Sequence, residues 1–175
     1  MRGAAQRMGA LIDDILELSR VTRKSMGRKP VDLGHVAADI IDTKAKSDPQ
    51  RRVETIIAPG CTAIGDAQLL RVLLENLLEN AWKYTRTTSP ARIEFGREVA
   101  SGEAVFFVRD NGVGFDMRYA GRLFGPFQRL HTSEEFEGTG IGLASAARVV
   151  HRHGGRIWAE AEPGKGATFR FTLPS

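Results

Sequence analysis

The chain has 175 residues, of which 42% are apolar and 26% charged, and it carries a net charge of +4. This length and composition indicate one globular domain with room for a short extra element, and they exclude a wholly disordered or fibrous protein. No apolar run approaches the roughly 20 residues needed to cross a bilayer. The single cysteine, Cys61, cannot build a disulfide framework, which is typical of a protein from a reducing compartment.

The basic excess is confined to the first segment of the chain. Residues 1–30 hold seven basic and three acidic side chains, whereas the remaining 145 residues hold 18 of each. A nucleic-acid-binding domain usually carries its basic excess on the folded body, so this class is disfavoured. We interpret the basic start as a solvated helix face, with binding to an acidic partner as the alternative.

Residues 3–26 are predicted to form one long helix. Apolar residues recur along it at spacings typical of a helix–helix seam, namely Met8, Leu11, Ile15 and Leu18. Because one exposed helix cannot bury such a stripe alone, it needs a partner. The body, a second copy of the chain or a helix outside this chain could supply it. Gly27 and Pro30 then break the pattern and mark the best candidate linker.

The rest of the chain alternates helices and strands. Three helices are predicted: one after an Asp32 cap, one over 67–84 after an Asp66 cap, and one over 140–153 that ends at Gly154-Gly155. Strands are predicted over 52–57, 61–64, 91–98, 103–109, 156–162 and 167–173. Because hairpins outnumber crossover connections in this order, we expect a mixed, mainly antiparallel sheet covered by helices, preceded by the long N-terminal helix.

The predicted helix over 67–84 carries an unusual polar face. Asn76 and Asn80 are four residues apart and share one side of the helix, and Lys83 lies near that side. A carboxamide oxygen suits Mg²⁺, and an ammonium group suits phosphate. An ordinary amphipathic helix with a Glu79–Lys83 surface pair is the alternative, although asparagine is a poor residue for a helix interior.

Two glycine-containing segments follow. Residues 110–114, Asp-Asn-Gly-Val-Gly, come directly after an apolar strand. There the glycines let the backbone approach a flat ligand, and a buried aspartate can accept a hydrogen bond from an amine such as that of adenine, although an ordinary turn has the same residues. Residues 138–142, Gly-Thr-Gly-Ile-Gly, open the last helix, where free N–H groups attract phosphate. The long irregular stretch between them is of a length that is usually functional or mobile.

These segments, in this order, resemble the ATP-binding domain of sensor histidine kinases. The matching motifs are the N box (76–84), the first glycine box (110–114), the phenylalanine box (124–127) and the second glycine box (138–142). The resemblance covers roughly residues 31–175, and residues 7–21 look like the second helix of that family's dimerisation domain, closest to the phytochrome-like and PAS-linked group. We therefore expect residues 1–29 to be part of a dimerisation hairpin and a linker, and residues 30–175 to be the ATP-binding catalytic domain.

The resemblance implies the Bergerat-type α/β (α+β) two-layer sandwich and a site for ATP and Mg²⁺. By family analogy, Asp110 contacts the adenine amine, and Asn80 holds Mg²⁺ with Asn76 beside it. The other residues implied in nucleotide binding are Lys83 at the phosphates, Tyr84, Gly112, Gly114, Phe124, Phe127, Gly138, Thr139, Gly140, Ile141, Gly142, Leu143 and Thr168. Residues 115–139 are implied to form a lid over ATP that Phe124 and Phe127 pin. Arg129 is implied to reach the γ-phosphate, with an exposed position as the alternative.

Kinases of this family transfer phosphate to a histidine on the first dimerisation helix, for relay to a response regulator in two-component signal transduction. None of the four histidines, His35, His131, His151 and His153, lies in the predicted helix over 3–26. We therefore expect a piece of a longer kinase that contains no phosphoacceptor and does not autophosphorylate efficiently alone. His151 and His153 are predicted at the end of the last helix, where a cation is common.

The resemblance also implies a set of partners. They are ATP or ADP, the helix that bears the acceptor histidine, and the receiver domain of a response regulator. The apolar seam separately suggests contact with a second copy of the chain through residues 8–18. Nucleic acid is not expected. The expected location is cytoplasmic, for a parent kinase that is either soluble or attached to a membrane.

Two other functions remain open on the same fold. One is a related ATPase, either a serine-protein kinase of the anti-sigma type or a MutL-like clamp. The neutral body disfavours the clamp, which would need a basic DNA surface, and an anti-sigma-type kinase would not need the seam. The other is a nucleotide-gated binding module that holds ATP without transferring phosphate, which intact Asn80 and Asp110 disfavour.

Overall fold

The computed structural model describes residues 9, 12, 26–100, 102–128, 136 and 138–174. Its elements, in chain order, are β1 (Lys29–Asp32), α1 (Leu33–Ser47), β2 (Val53–Ile57), β3 (Thr62–Gly65), α2 (Ala67–Tyr84), β4 (Ala91–Ala100), β5 (Glu103–Asp110), a 3₁₀ helix (Met117–Arg122), α3 (Gly142–Arg152), β6 (Ile157–Glu162) and β7 (Gly166–Thr172). The predicted seam residues Met8, Leu11, Ile15 and Leu18 lie outside the described residues. The seam therefore stays a prediction.

The main sheet has five strands in the order β2-β4-β5-β7-β6. Its neighbours are antiparallel except for β2 and β4, which run parallel. This arrangement confirms the expected mixed, mainly antiparallel sheet. Although β2 and β3 are consecutive in the chain, they belong to different sheets, because β3 pairs with β1.

The helices cover one face of the main sheet. Along β5, Val108 is fully buried in the core, whereas its neighbour Arg109 points to the other face. The core joins large side chains of α2 and of the strands, namely Leu70, Leu73, Leu74, Leu77, Ile93, Phe95, Phe106, Val108 and Phe171. One side of α2 therefore packs on this core, and another side carries the polar face described below.

The two predicted aspartate caps begin α1 and α2. Asp32 accepts a hydrogen bond from the N–H of His35 at 3.1 Å. Asp66 accepts from the N–H groups of Gln68 and Leu69 at 3.0 and 3.1 Å. Each cap satisfies N–H groups that have no partner inside the helix, which fixes where the helix starts.

The expected linker is partly a strand. Pro30 was expected to break the helical pattern, but it lies within β1. In this strand, Lys29 stands opposite Gly65 and Asp32 opposite Thr62. Proline is tolerated there because β1 has a partner on one side only and needs no outward N–H group. The chain thus enters the domain alongside β3.

In the parts of the chain that the structure describes, no helix combines the length and the apolar character that crossing a membrane requires.

Candidate functional site

Asp110 ends β5 as a buried carboxyl group. Its side chain is 5% exposed, and its Oδ1 accepts a hydrogen bond from the N–H of Gly112 at 2.9 Å. Burial raises the pKa of Asp110 to about 6, although the N–H groups of Gly112 and Ala167 act in the opposite direction. A carboxyl group held in this way can accept a further hydrogen bond from a ligand amine.

The glycines beside Asp110 allow three backbone segments to meet. A methyl group on Gly112 would overlap the carbonyl oxygen of Tyr84, which accepts a hydrogen bond from the N–H of Val113 at 3.1 Å. Gly114 has a φ of +60°, and a methyl group there would overlap the carbonyl of Glu162. These glycines therefore hold Asp110 between the end of α2 and the turn that joins β6 to β7.

The predicted polar face of α2 meets the start of α3. Asn76 donates from Nδ2 to the carbonyl of Val72 at 2.9 Å. Its Oδ1 lies so close to Gly142 that a methyl group there would overlap it. Asn80 is half-buried, and its side chain makes no hydrogen bond with any residue that the structure describes. Its carboxamide oxygen is therefore available as a ligand for a cation.

The N-terminus of α3 differs from those of the other helices. Among the described residues, no side chain caps it, and Ile141 occupies the cap position. The preceding loop turns through Gly138 and Gly140, which have φ of 149° and 77°. Uncapped N–H groups at the positive end of a helix dipole attract anions, so this end of α3 is suited to phosphate.

Lys83 and Tyr84 bring the end of α2 to the same glycine loop. The Nζ of Lys83 lies 3.2 Å from where a methyl group on Gly138 would stand, and 4.3 Å from the centre of the Tyr84 ring. The Tyr84 ring packs edge to face against Phe136, with 5.0 Å between the ring centres. Phe136 was not predicted as a site residue, although its place two residues before Gly138 was a usable signal.

The other glycine-box residues act through the backbone or the core. Ile141 is 1% exposed, and Leu143 packs partly buried against the core. Thr139 accepts a long hydrogen bond from the N–H of Ile141 at 3.4 Å. Their side chains therefore shape the loop.

The structure places the phenylalanines of the predicted lid and Thr168 as follows. Phe124 packs partly buried against the core, whereas Phe127 is 60% exposed, with a φ of 61°, so their role as pins of a lid stays a prediction. Thr168 accepts a hydrogen bond from Arg109 Nε at 3.3 Å on the sheet face opposite to Asp110. It was expected in the pocket, but because side chains alternate along β7, Ala167 takes that place beside Asp110. Arg129 lies outside the described residues.

His153 lies at the end of α3, as predicted, but its side chain is inside the domain. His153 is 3% exposed, and its Nε2 accepts the N–H of Asp66 at 3.1 Å. This histidine is therefore a buried hydrogen-bonding group inside the domain, not an exposed side chain at the helix end. His151, two residues earlier, is exposed.

The chain is similar to a known protein family. The model of the family described as "Histidine kinase-, DNA gyrase B-, and HSP90-like ATPase" matches residues 65–175. This range contains every site residue discussed above, from Asn76 to Leu143.

Individual relatives agree with the family match. Cyanobacterial phytochrome A of Nostoc sp. is 40% identical over 177 residues, which cover 95% of this chain and 22% of the relative. The methanogenesis regulatory histidine kinase FilI of Methanothrix harundinacea is 35% identical over 173 residues, covering 98% of this chain and 19% of FilI. This chain therefore spans about a fifth of the length of these two curated relatives. The crystal structure of full-length ShkA in complex with AMPPNP superimposes with a TM-score of 0.79 at 26% identity, covering 99% of this chain and 37% of ShkA.

Proposed function

This chain belongs to the histidine kinase-, DNA gyrase B- and HSP90-like ATPase family and is the ATP-binding catalytic domain of a sensor histidine kinase, and from this premise we propose how its own residues hold ATP. Asp110 accepts the adenine amine. The glycine loop and the N-terminus of α3 receive the phosphates, with Lys83 beside them. Asn80, next to Asn76 on α2, holds Mg²⁺.

One arrangement carries this proposal: a single helix, α2, joins the two halves of the pocket. Its C-terminal residue Tyr84 contacts the segment that holds Asp110. Eight residues earlier, Asn76 contacts Gly142 at the uncapped start of α3. A ligand with an amine at one end and anionic groups at the other matches such a pocket, and adenine nucleotides have this form.

The residues on α2 fit a magnesium ion. Asn80 offers a half-buried carboxamide oxygen with no partner among the described residues, and hard oxygen ligands are those that Mg²⁺ prefers. Held by Asn80, a magnesium ion would supply positive charge at the phosphate end of the pocket, which is the chemistry that phosphoryl transfer needs. The chain's own part is to fix the nucleotide: α2 and α3 orient the phosphates, and Asp110 sets the position of the base.

The acceptor is proposed to be a histidine on a dimerisation helix, with relay from there to a response regulator. The relatives support this role because FilI is named as a histidine kinase. Residues 1–29 are proposed to belong to the dimerisation hairpin and linker, and residues 30–175 to the catalytic domain. Contact with a second copy through residues 8–18 is proposed on the seam pattern alone.

Calorimetric titration with ATP, with and without Mg²⁺, tests the nucleotide site. We expect saturable one-to-one binding that Mg²⁺ strengthens and that Asp110→Ala abolishes. Asp42→Asn is the matched control, because Asp42 is exposed on α1 and belongs to no part of the proposed site. Binding that survives Asp110→Ala, or that Asp42→Asn weakens equally, would contradict the assignment of the base pocket.

A further inference from the structure

His153 joins the far ends of the two helices that form the pocket. Its Nε2 accepts the N–H of Asp66, the residue that caps α2, and its Nδ1 lies 2.8 Å from the carbonyl of Val149 in α3. Because Nε2 is an acceptor, Nδ1 carries the proton and donates it to Val149. The fit is close, since a methyl group on Gly65 would lie 2.7 Å from Nε2.

The same capping residue holds the chain that enters the domain. The N–H of Gly27 donates to Asp66 Oδ2 at 2.9 Å, while Oδ1 caps α2. Partial burial acts to raise the pKa of Asp66, but the N–H groups of Gly27, Leu69 and Gln68 and the electrostatic effect of His153 lower it, and the pKa lies below its ordinary value. Asp66 is therefore a charged acceptor at neutral pH, shared between the entering chain and α2.

Gly27, Asp66 and His153 form a node at one end of the α2–α3 pair. The nucleotide pocket lies towards the opposite end of the same pair. Near one end, Asp66 contacts His153; towards the other, Asn76 contacts Gly142. Ten residues separate the first contact from the second along α2, and eleven along α3. At about 1.5 Å per residue, both helices span about 15 Å between these contacts. The two helices thus pack antiparallel and contact each other at these two positions.

We propose that the Gly27–Asp66–His153 node is a positioning device that links the entering chain to the phosphate-binding loop. His153 sets the longitudinal position of α3 against α2, and through it the distance between the glycine loop and the α2 residues Asn76 and Asn80. A displacement of the chain at Gly27 then changes how the pocket holds phosphate, while Asp110 and the base pocket stay in place. This inference rests on the proposed function, since it assigns regulation to the same site.

Two substitutions of His153 separate its contacts. In His153→Gln, the side-chain oxygen reaches the position of Nε2 and can still accept the N–H of Asp66. In His153→Asn, the shorter amide can donate to Val149 but does not reach Asp66. We expect His153→Asn to weaken ATP binding about tenfold, within the range of ordinary coupling energies. AMP binding, which depends on the base pocket, should change less than twofold, and His153→Gln should stay close to the native chain.

A merely structural role for His153 predicts a different pattern. It would weaken ATP and AMP equally, or lower the melting temperature without changing the ratio of the two dissociation constants. Either result would overturn the proposal.

A matched pair at Gly27 tests the link to the entering chain. Gly27→Pro removes the N–H that Asp66 accepts. Gly27→Ala keeps this N–H, and its methyl group would stand 3.4 Å from Asp66 Oδ2, an ordinary contact. Without nucleotide, we expect the amide NMR resonances of Gly142 and Leu143 to shift in Gly27→Pro and not in Gly27→Ala. With ATP, Gly27→Pro and His153→Asn should be non-additive, because both act through Asp66.

These measurements distinguish the two proposals. If the native chain does not bind ATP while the Gly142 amide still responds to Gly27→Pro, the proposed function fails and the mechanical link stands. If ATP binds but the amide resonances are unmoved and the double substitution is additive, the link fails and the proposed function stands.

Discussion

Asp110 links the nucleotide pocket to the pH dependence of stability. Its pKa is raised to about 6 in the folded chain by burial, against about 3.9 in an unfolded chain. The folded state therefore holds this proton more tightly, and the stability that it contributes is complete below about pH 4 and lost as the pH rises through about 6. Asp110→Asn removes this dependence. We expect the free energy of unfolding of Asp110→Asn, relative to the native chain, to rise by roughly 2 kcal/mol from about pH 4 to about pH 7.

Urea unfolding of both chains across this pH range measures the effect. Asp42→Asn, on the exposed face of α1, controls for the general loss of an acidic group. A stability difference between Asp110→Asn and the native chain that falls with rising pH would contradict the interpretation. Asp110→Asn is also expected to bind ATP more weakly. Asp110 would therefore be retained for nucleotide binding although it lowers stability at neutral pH.

Gly112 gives a second prediction at the scale of a single residue. Its φ is not in the left-handed region, so a side chain is excluded by close neighbours, the Tyr84 carbonyl first and Asp110 Oδ1 second. We expect Gly112→Ala to lower the free energy of unfolding by about 2 kcal/mol or more, because a backbone segment must move, and to weaken ATP binding. Gly121→Ala is the control: a methyl group there meets nothing within 4 Å and should change stability by less than about 0.5 kcal/mol. Equal effects of the two substitutions would contradict the close-approach argument.

Single residues were predictable where their type conflicts with their surroundings. Asp110 follows a strongly apolar strand, and Asn76 and Asn80 share one side of a helix, so each stood out in the sequence. Thr168 was assigned to the wrong face of the sheet. The face to which a β7 side chain points depends on the register between β5 and β7, and this register pairs Asp110 with Ala167. The hydrogen bond of His153 is made with Asp66, 87 positions earlier in the chain, and no local pattern reveals such a contact.

At the scale of elements, the C-terminus of α2 is held by an arginine from outside the helix. Arg51 donates to the carbonyl of Trp82 at 2.6 Å and to Thr85 Oγ1 at 2.7 Å, and its guanidinium lies 4.7 Å from the centre of the Trp82 ring. Trp82 offers one of the last carbonyls of the helix, which have no partner inside it. Arg51 thereby fixes the turn that presents Lys83 and Tyr84.

We expect Arg51→Ala to lower the free energy of unfolding by about 2 kcal/mol, because it removes two hydrogen bonds from a charged donor. Arg52→Ala is the matched control, since the neighbouring Arg52 is exposed, and it should change stability by less than about 0.5 kcal/mol. Thermal unfolding of the two variants checks both values. An equal loss in both would indicate a general effect of charge instead of this capping contact.

Helix starts were the most predictable elements, because an aspartate cap and the periodicity that follows it are local signals. The predicted bounds 67–84 of the second helix agree with α2. By contrast, β1 was missed, because Lys-Pro-Val-Asp has no alternation and contains a proline. It forms a strand only because β3 lies beside it, and this partner is about 30 positions away in the chain.

At the scale of the whole molecule, the division of strands between two sheets exceeds what local patterns contain. β2 and β3 are separated by a short turn at Pro59-Gly60, which favours a hairpin, yet β2 runs parallel to β4 at the edge of the main sheet. The Bergerat-type architecture was instead predictable through the four motifs, because their order along the chain resembles that of a known family. The motifs therefore specified the fold more completely than the strand patterns did.

The last prediction concerns phosphate transfer by the chain alone. Of the histidines that the structure describes, His153 has both ring nitrogens in hydrogen bonds inside the domain. His35 lies at the start of α1, 3.6 Å from the carboxylate of Asp39. His35, like the exposed His151, lies in a helix of the same domain as the pocket and not on a separate helix that can approach it. We therefore expect no acid-labile phosphate on the chain after incubation with radiolabelled ATP and Mg²⁺.

Addition of a separate polypeptide that carries a dimerisation hairpin with its histidine should produce labelling of that polypeptide. A chain that binds ATP but labels no added hairpin would instead be a nucleotide-gated binding module. Label on the chain itself would contradict the prediction, and His35→Ala would then show whether His35 is the acceptor. The His35 side chain is exposed, and among the described residues its contact is with the surface carboxylate of Asp39. Because such a surface contact contributes little stability, this variant should fold normally and make the distinction clear.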